Sequence, residues 1–230
     1  MDLVETLRTT GAVRDFLPDP VPDDVLHRVL DTARFAPSGG NKQGWRAIVV
    51  QDPAVRRSLR DIYLDGWYEY VAVTEAGLRP FAPITDRTAE AAAASGADDV
   101  RRRAAEGPGG FPEHLDEVPV LLVVLADLRV LAAVDRDLGR YTLAGGASIY
   151  PFVWSVLLAA RAEGLAGVVT TMPIRHEPEV RELLGIPDHL AVAAVLALGR
   201  PVKVPTRLTR AEVEAFTTVD RADGPPFLPR

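Results

Sequence analysis

The stretch Ala36-Pro37-Ser38-Gly39-Gly40-Asn41-Lys42-Gln43-Gly44-Trp45 separates a segment with helically spaced apolar residues, 23–35, from a mostly apolar segment, 45–51. The first segment predicts an amphipathic helix and the second a buried strand. Pro37 stops the helix, and the glycine pair lets the backbone approach another group closely. Three side chains of the loop carry hydroxyl or amide groups: Ser38, Asn41 and Gln43. This composition fits an ordinary connecting loop, and it fits equally a loop that binds a planar heterocycle rich in donors and acceptors.

On either side of this loop, helices and strands alternate without a regular repeat. Apolar spacing predicts further helices over 2–9, 53–73, 148–162 and 178–184, and further strands over 118–125, 168–171 and 191–198. This pattern favours the α+β class, with one sheet covered by helices on both sides. Neither an internal repeat nor a linker is visible, so residues 1–230 are predicted to form a single domain.

Two segments differ in composition from this core. Residues 77–117 contain an alanine run, a glycine-rich turn and Arg101-Arg102-Arg103, but few large apolar residues. They are predicted to form a mobile insertion, part helix and part loop, of the kind that often serves as a lid. The triple arginine is predicted to be a solvated helix face. Residues 203–230 begin basic and end rich in proline, so they are predicted to form an arm that lies across the body or across a partner subunit.

Composition excludes several kinds of chemistry. The formal net charge of -6 leaves no basic surplus for a nucleic-acid backbone, so no nucleic-acid partner is expected. Cysteine is absent, which excludes disulfides and thiolate nucleophiles, and the four histidines lack metal-ligand spacing. No serine lies in a Gly-x-Ser-x-Gly elbow, and no dinucleotide or phosphate-loop motif is present. An enzyme with these limits would take its chemistry from an organic cofactor.

Residues 143–160 are uncharged and approach the length of a membrane span. Glycines, Pro151 and two serines interrupt them, and Arg161 and Glu163 follow at once. A helix buried in protein on most sides is therefore predicted, with no membrane partner. Residues 1–20 lack the basic and apolar regions of a secretory signal, so a cytoplasmic location is expected.

Basic residues collect near both ends of the predicted core: Arg14, Arg200, Lys203, Arg207 and Arg210. Guanidinium groups bind phosphate in a bidentate manner, so these residues are candidates for a phosphate site. Scattered surface arginines explain the same composition, and periodicity does not separate the two interpretations.

Five motifs in order resemble those of the nitroreductase family of flavoenzymes. The N-terminal signature is carried by Arg14-Asp15-Phe16, by Pro20-Val21-Pro22 and by residues 33–46. The C-terminal signature is carried by Val180-Arg181-Glu182-Leu183-Leu184-Gly185-Ile186-Pro187 and by Leu198-Gly199-Arg200-Pro201. Residues 146–152, which lead into a long helix, are similar to a subgroup of the family. The resemblance covers nearly the whole chain except residues 77–117.

The resemblance implies a nitroreductase-like α+β sandwich, in which helices flank a central, mostly antiparallel sheet. It also implies a domain-swapped obligate homodimer with two FMN molecules at the interface. In such a dimer the helix over 148–162 would form the interface core, and the arm from residue 203 would exchange between subunits.

Particular residues are also implied by the resemblance. Arg14 would lie near the flavin pyrimidine edge and stabilise the anionic reduced flavin. The isoalloxazine would be met from the partner subunit by Pro37, Ser38, Gly39, Asn41 and Gln43. The N5 side of the flavin would face Thr170, Thr171 and Met172, and the phosphate would be met by Arg207 and Arg210. No metal and no catalytic side chain is implied, because the flavin N5 carries the hydride.

The function implied is an FMN-dependent oxidoreductase that uses NADH or NADPH in a ping-pong hydride mechanism, with nitroaromatics or quinones as small-molecule acceptors. Two departures accompany the resemblance. Thr10-Gly11-Ala12 replaces residues that include arginine and serine in many members, with Arg8 one turn away as a substitute, and Gly44 replaces a proline. Two alternatives therefore stay open: a protein that binds flavin or another ligand without turnover, and a flavoenzyme of the same fold that catalyses dehydrogenation, dehalogenation or flavin breakdown.

Overall fold

The computed structural model describes residues 2–229. Its centre is a four-stranded sheet of β1 (Trp45–Val49), β2 (Val120–Asp127), β3 (Ala166–Thr170) and β4 (Leu190–Gly199), arranged in the order β1-β2-β4-β3. All three strand pairs are antiparallel. The predicted α+β class and the predicted antiparallel sheet are confirmed.

Residues 2–229 contain seven α-helices: α1 (Leu3–Thr9), α2 (Asp23–Ala33), α3 (Pro53–Glu75), α4 (Arg87–Ala94), α5 (Ala97–Ala105), α6 (Tyr150–Ala162) and α7 (Glu177–Leu184). Short 3-10 turns occupy Gly39–Asn41, Leu115–Glu117, Ala144–Ser148, Met172–His176 and Val213–Ala215. The sequence predicted each long helix to within a few residues. The helix expected from about residue 148 begins at Tyr150, directly before Pro151 in its first turn.

The residues of β2 alternate between two cores, as the period of a strand requires. Leu122 and Val124 belong to the core beneath α2 and α6, whereas Leu121 and Val123 belong to the core beneath α3 and α7. All eight residues of β2 are buried, which agrees with the predicted strand buried on both faces. Helices therefore cover the sheet on both sides.

Two burial predictions are wrong for the single chain. The strand β1 was expected to be buried, but it lies at the edge of the sheet, and Arg46, Ala47 and Val49 are exposed. Helix α6 was expected to be buried on most sides, yet Tyr150 is 47% and Trp154 40% exposed, because the chain's own elements cover only one face of it. Both exposed surfaces are apolar in part.

Residues 77–117 fold back on α3. Val100 of α5 packs against Tyr68 and Ala72 of α3. The triple arginine lies on a solvated helix face, as predicted, where Arg101 pairs with Asp65 and Arg103 with Glu75. The role of a lid stays a prediction.

Candidate functional site

The glycine loop, residues 37–43, has an unusual backbone. Gly40, Asn41 and Gln43 adopt positive φ angles of 58°, 52° and 48°. A positive φ is uncommon for residues other than glycine, and such conformations cluster at functional sites. The Ser38 hydroxyl accepts a hydrogen bond from the Gln43 backbone N–H at 2.9 Å, which closes the loop on itself.

The glycine loop is held by the 3-10 turn that ends at Ser148 and by the first turn of α6. The Gly39 N–H donates to the Ser148 hydroxyl at 3.0 Å, and the Trp45 ring stacks on Phe152 with centroids 5.0 Å apart. Packing favours glycine at position 44, because a Cβ atom there would lie only 3.0 Å from a methyl group of Val130. The loop is thus a rigid feature whose Asn41 and Gln43 side chains are exposed.

A buried carboxylate fixes the segment that carries Ser148. Asp135 accepts hydrogen bonds from the Leu143 and Ala144 N–H groups, from the Thr142 hydroxyl and from Arg140. These donors, the Leu143 N–H first, hold the pKa of Asp135 well below its ordinary value, so the group is ionised at neutral pH. Asp135 therefore holds the first residue of the 3-10 turn Ala144–Ser148 in place.

The Arg14 cleft is a cavity of about 470 Å³ between β3 and α3. Its lining is made of Arg14, Tyr63, Trp67, Tyr70, Phe111, Pro112, Val168, Val169, Thr170 and Met172. Arg14, Thr170 and Met172, which sequence reasoning assigned to one site, therefore meet in one cavity. Thr171 is exposed and does not line it.

Sequence reasoning missed the aromatic wall of this cleft. Tyr63, Trp67 and Tyr70 follow one another at helical spacing on one face of α3, which was the available signal. The Trp67 and Tyr70 rings are nearly parallel, with centroids 5.4 Å apart and an interplanar angle of 9°. Gly66 allows this helix to approach the turn after β3, because a Cβ there would lie 3.1 Å from the Met172 sulfur and 3.2 Å from the Arg175 Cβ.

Two hydrogen-bond donors lie at the floor of the cleft: the Tyr63 hydroxyl and the Met172 backbone N–H. Burial raises the pKa of Tyr63, whose hydroxyl interacts with Thr170, so this phenol stays protonated at neutral pH. The Met172 N–H donates to the Thr170 hydroxyl at 3.3 Å and is therefore engaged within the turn.

A second groove, of about 530 Å³, continues from the Arg14 cleft past Arg14 and Phe111. Its far wall includes His114, whose ring nitrogens lie 2.8 Å from the Pro108 carbonyl oxygen and 3.3 Å from the Glu117 carboxylate. Both contacts, the carbonyl first, raise the pKa of His114 above its ordinary value. The His114 ring thus ties Pro108, before Phe111, to Glu117, after it.

The arginine cavity is a third space, of about 460 Å³, on the side of the N-terminal helix. It is lined by Leu7, Arg8, Thr206, Arg207, Leu208 and Arg210. Arg207 and Arg210, which sequence reasoning paired, therefore do lie together, and Arg8 of α1 joins them.

The single chain does not bring the glycine loop to the Arg14 cleft. Of the predicted loop residues, only Pro37 lines a described cavity, an apolar groove of about 590 Å³ between α1, α2 and α6. The predicted site thus falls into three groups in one chain: the glycine loop, the Arg14 cleft and the arginine cavity.

Two further classes of site were searched for within residues 2–229. No group of three or more histidine, aspartate or glutamate side chains there is placed to hold a metal ion. None of the helices in that range combines the length and apolar content that a bilayer crossing requires.

Comparison with known proteins identifies the class. A sequence model of the nitroreductase family matches residues 7–200. The chain belongs to the nitroreductase family, and the resemblance noted in its motifs is confirmed.

Individual relatives differ in their activities. The chain is 31% identical over 193 residues to NADH dehydrogenase of Thermus thermophilus, covering 84% of this chain and 83% of that protein. It is 28% identical over 206 residues to human iodotyrosine deiodinase 1, covering 89% of this chain. The chain spans only 63% of that deiodinase, less than two thirds of its length.

The fold has been seen with a flavin in another protein. The structure is similar to that of oxidized iodotyrosine deiodinase bound to FMN and 3-iodo-L-tyrosine, with a TM-score of 0.61 and 24% identity. The match covers 92% of this chain and 96% of that one. At this level of identity, the likeness shows a shared fold.

Proposed function

We propose that the protein is an FMN-dependent oxidoreductase that takes electrons from NADH or NADPH and passes them to a planar aromatic acceptor such as a quinone or a nitroaromatic. The observation that carries the proposal is the Arg14 cleft, which joins Arg14 to an aromatic wall, the buried Tyr63 and the half-buried Thr170. Membership of the nitroreductase family and the NADH dehydrogenase relative support it.

The cleft suits a flavin ring in size and charge. Its volume of about 470 Å³ falls in the range of small-molecule sites, which runs from roughly 300 to 1,000 Å³. Arg14 is the one charged side chain among the lining residues described, so the cleft favours a group that becomes anionic on reduction. Bound FMN would supply the hydride and electron chemistry that the side chains lack.

The residues of the cleft would orient and stabilise rather than transfer protons. The Arg14 guanidinium would stabilise negative charge on the ring, and the Tyr63 and Thr170 hydroxyls would offer hydrogen bonds at its edge. Arg207 and Arg210, outside the cleft, would hold the phosphate of the cofactor.

The acceptor would lie against the aromatic wall. Trp67 and Tyr70 offer large apolar ring surfaces at the mouth of the cleft, and aromatic rings favour stacking on one another. Planar quinones and nitroaromatics match this surface.

The proposed site also needs a second copy of the chain. Large apolar side chains stay exposed near the glycine loop, including Leu3 at 66%, Phe35 at 75% and Trp154 at 40%. Exposed apolar surface of this kind marks an interface. A two-fold dimer through α6 would bring Ser38, Asn41 and Gln43 of one subunit to the Arg14 cleft of the other, which agrees with their separation in one chain.

The end of the arm fits exchange between subunits. Residues 211–229 hydrogen-bond within themselves, as between Val219 and Pro225, and expose Phe216 at 70% and Phe227 at 55%. We infer that this segment packs on the partner subunit, whereas residues 205–208 pack on their own N-terminal segment.

Reductive removal of a halogen from an aromatic ring is a second candidate function. The 28% identity to human iodotyrosine deiodinase 1 over 89% of this chain favours it. The Arg14 cleft would bind the substrate in this reaction too, because the halogenated aromatic ring would lie against Trp67 and Tyr70. Halide release from a halogenated phenol would distinguish this activity from quinone reduction.

The test is spectroscopic. The purified protein is saturated with FMN and titrated anaerobically with NADH or NADPH, followed by a naphthoquinone. We expect bleaching of the flavin absorbance by the nucleotide and its return with the quinone. A protein that binds no FMN would contradict the proposal, and bound flavin that neither nucleotide reduces would favour a binding protein without turnover.

A further inference from the structure

The second groove is a space to which the proposed function assigns no role. Arg14 and Phe111 line both this groove and the Arg14 cleft, so the two spaces adjoin at these two side chains. The groove has a volume of about 530 Å³, against about 470 Å³ for the cleft. A ring bound in the cleft would therefore have further room beside it, on the side of Arg14 and Phe111.

Apolar side chains predominate in the lining of the second groove: Phe16, Leu17, Pro18, Phe111, Val118 and Pro119. The ionisable side chains of the lining are all exposed: Arg14, Asp15, His114 and Glu117. An apolar group can therefore cover the apolar side chains while the charged groups keep contact with water. A mostly apolar lining with a few polar groups is typical of sites for small molecules.

Hydrogen bonds hold the wall of the groove that carries Phe111. The Glu113 carboxylate accepts from the Gly110 N–H at 2.7 Å and from the Tyr68 hydroxyl of α3 at 3.3 Å. Gly109 has a positive φ of 72°, and a Cβ atom there would lie 2.8 Å from the Glu113 Cβ. Phe111, which follows Gly110 directly, is therefore held at the junction of the groove and the cleft.

Backbone hydrogen bonds hold the wall that carries Leu17. The Leu17 N–H donates to the Arg200 carbonyl oxygen at 2.8 Å, and the Val202 N–H donates to the Asp15 carbonyl oxygen at 3.1 Å. The second groove is thus preformed within one chain. A group that enters it therefore pays little for ordering the protein around it.

We propose that the second groove is a subsite for an apolar side chain on the acceptor. The acceptor ring would lie in the Arg14 cleft against Trp67 and Tyr70, and its side chain would extend past Phe111 into the groove. This inference rests on the proposed function and narrows its acceptor to a quinone that carries an alkyl chain. The reaction itself is unchanged: the quinone gains two electrons, as a hydride that originates from NADH or NADPH, and one proton, and it becomes the hydroquinone. Each CH₂ group buried in the groove should strengthen acceptor binding about fourfold.

Gly110 allows the groove to be filled without strain. It lines the groove, its φ lies outside the left-handed region, and a Cβ atom there would meet a Glu113 carboxylate oxygen at an ordinary 3.6 Å. Gly110→Phe should therefore block the groove and keep the N–H that bonds to Glu113. Gly107→Phe is the matched control, because a Cβ there meets the Ala104 carbonyl oxygen at 3.8 Å, outside the described linings of groove and cleft.

Leu17→Asp is a second test variant that leaves the groove open. It places a carboxylate on the apolar wall, at a residue that is 40% exposed and therefore tolerates a charge. This variant decides the question if Gly110→Phe does not fold.

The measurement compares two acceptors in the FMN-saturated proteins with NADH or NADPH: methylnaphthoquinone with and without a hexyl chain on its quinone ring. The ratio of their kcat/KM values is compared between proteins, so that the intrinsic reactivities of the two quinones cancel. We expect Gly110→Phe and Leu17→Asp to lower the ratio of the hexyl compound to the parent compound by about 10- to 100-fold, mainly through KM. The ratio for Gly107→Phe should equal that of the wild-type protein.

The inference is overturned if either test variant folds and keeps the wild-type ratio. An unchanged ratio together with a light-scattering mass that falls to that of one chain would show that a segment of a second copy fills the groove instead. A wild-type protein that reduces neither quinone is a different result, which contradicts the proposed function itself.

Discussion

The Arg14 cleft and the glycine loop belong to the same proposed site, but a single chain completes only one of them. The cleft has a floor, an aromatic wall and a cation within one subunit. The glycine loop is equally well held, through Ser148 and Trp45, yet its polar side chains face solvent. Positive φ angles cluster at functional sites, and we propose that this loop contacts the Arg14 cleft of a second copy of the chain.

The comparison of the two regions shows that a loop can be held rigidly within one chain even though the site to which it is assigned is not complete in that chain. Hydrogen bonds through Asp135 and Ser148 fix the loop before any ligand or partner arrives. In a dimer such a loop acts as a preformed wall, so little ordering entropy opposes its contact with the cofactor. The predictions below separate the two regions, beginning with the largest expected effect.

Trp154→Glu should break the dimer and, with it, the site. A carboxylate in the centre of an apolar interface is costly to bury, and Trp154 is 40% exposed in the single chain, where a charge is tolerated. Light scattering should report a mass near 24.9 kDa for the variant and about twice that for the wild-type protein. The variant should also lose FMN, and a variant that stays monomeric but keeps FMN would show that one chain completes the site.

Arg14→Ala tests the cleft alone. Loss of the guanidinium should weaken both FMN and riboflavin by about 10- to 100-fold, because charge-assisted hydrogen bonds to the ring are lost. Fluorescence titration measures both ligands, with Arg102→Ala as the control. Equal affinities of the Arg14 and Arg102 variants for these two ligands would show that Arg14 does not bind the flavin.

Gly66→Ala tests the packing that holds the aromatic wall. The new Cβ meets the Arg175 Cβ, which is fixed to its own backbone, at 3.2 Å. Overpacking of this kind costs about 1–3 kcal/mol, more than the roughly 0.5–1 kcal/mol that alanine gains over glycine in a helix. We therefore expect Gly66→Ala to lower the free energy of unfolding, which urea denaturation measures. Gly139→Ala is the control, because nothing lies within 4 Å of a Cβ there. Stabilisation by Gly66→Ala would mean that α3 and the turn after β3 have room to separate.

His114→Gln should have the smallest effect, confined to the groove beyond Phe111. The pKa of His114 is raised in the folded protein by the Pro108 carbonyl and Glu117, so its contribution to stability is present below the ordinary pKa and disappears as the pH rises through the raised value. Because the side chain is exposed, the contribution should be only a few tenths of a kcal/mol. The stability difference between the wild-type protein and the variant, measured by urea denaturation, should be larger at low pH than at high pH, and the reverse trend would contradict the assignment.

The sequence predicted the parts of this molecule that depend on local patterns. The apolar runs of β2 and β4 and the turn at Gly185 are local, and the structure has strands and a helix end there. The stop expected at Pro37 comes earlier, because α2 ends at Ala33 and Arg34 caps it. The family motifs added the grouping of Arg14 with Thr170, which no local pattern contains.

What the sequence did not predict depends on contacts between distant residues. The face of α3 with Tyr63 and Trp67 has the spacing of any core-facing helix, so its role in a cleft required the position of β3. The burial of β1 was overestimated because apolar composition does not show that a strand lies at the edge of a sheet. The exposed face of α6 belongs to the interface that we propose with a second copy of the chain. The need for glycine at position 11 also depends on a distant residue, because a Cβ atom there would lie 2.8 Å from the Leu208 Cδ2.

The central claim, that each site combines the Arg14 cleft of one subunit with the glycine loop of the other, has a direct test by complementation. Arg14→Glu disables the cleft and Ser38→Trp disables the loop, so each variant alone should be inactive in NADH-dependent quinone reduction. When the two are unfolded together and refolded as a mixture, mixed dimers should contain one intact site, and about a quarter of the wild-type activity should return. A mixture as inactive as its components, with mixed dimers present, would contradict the claim.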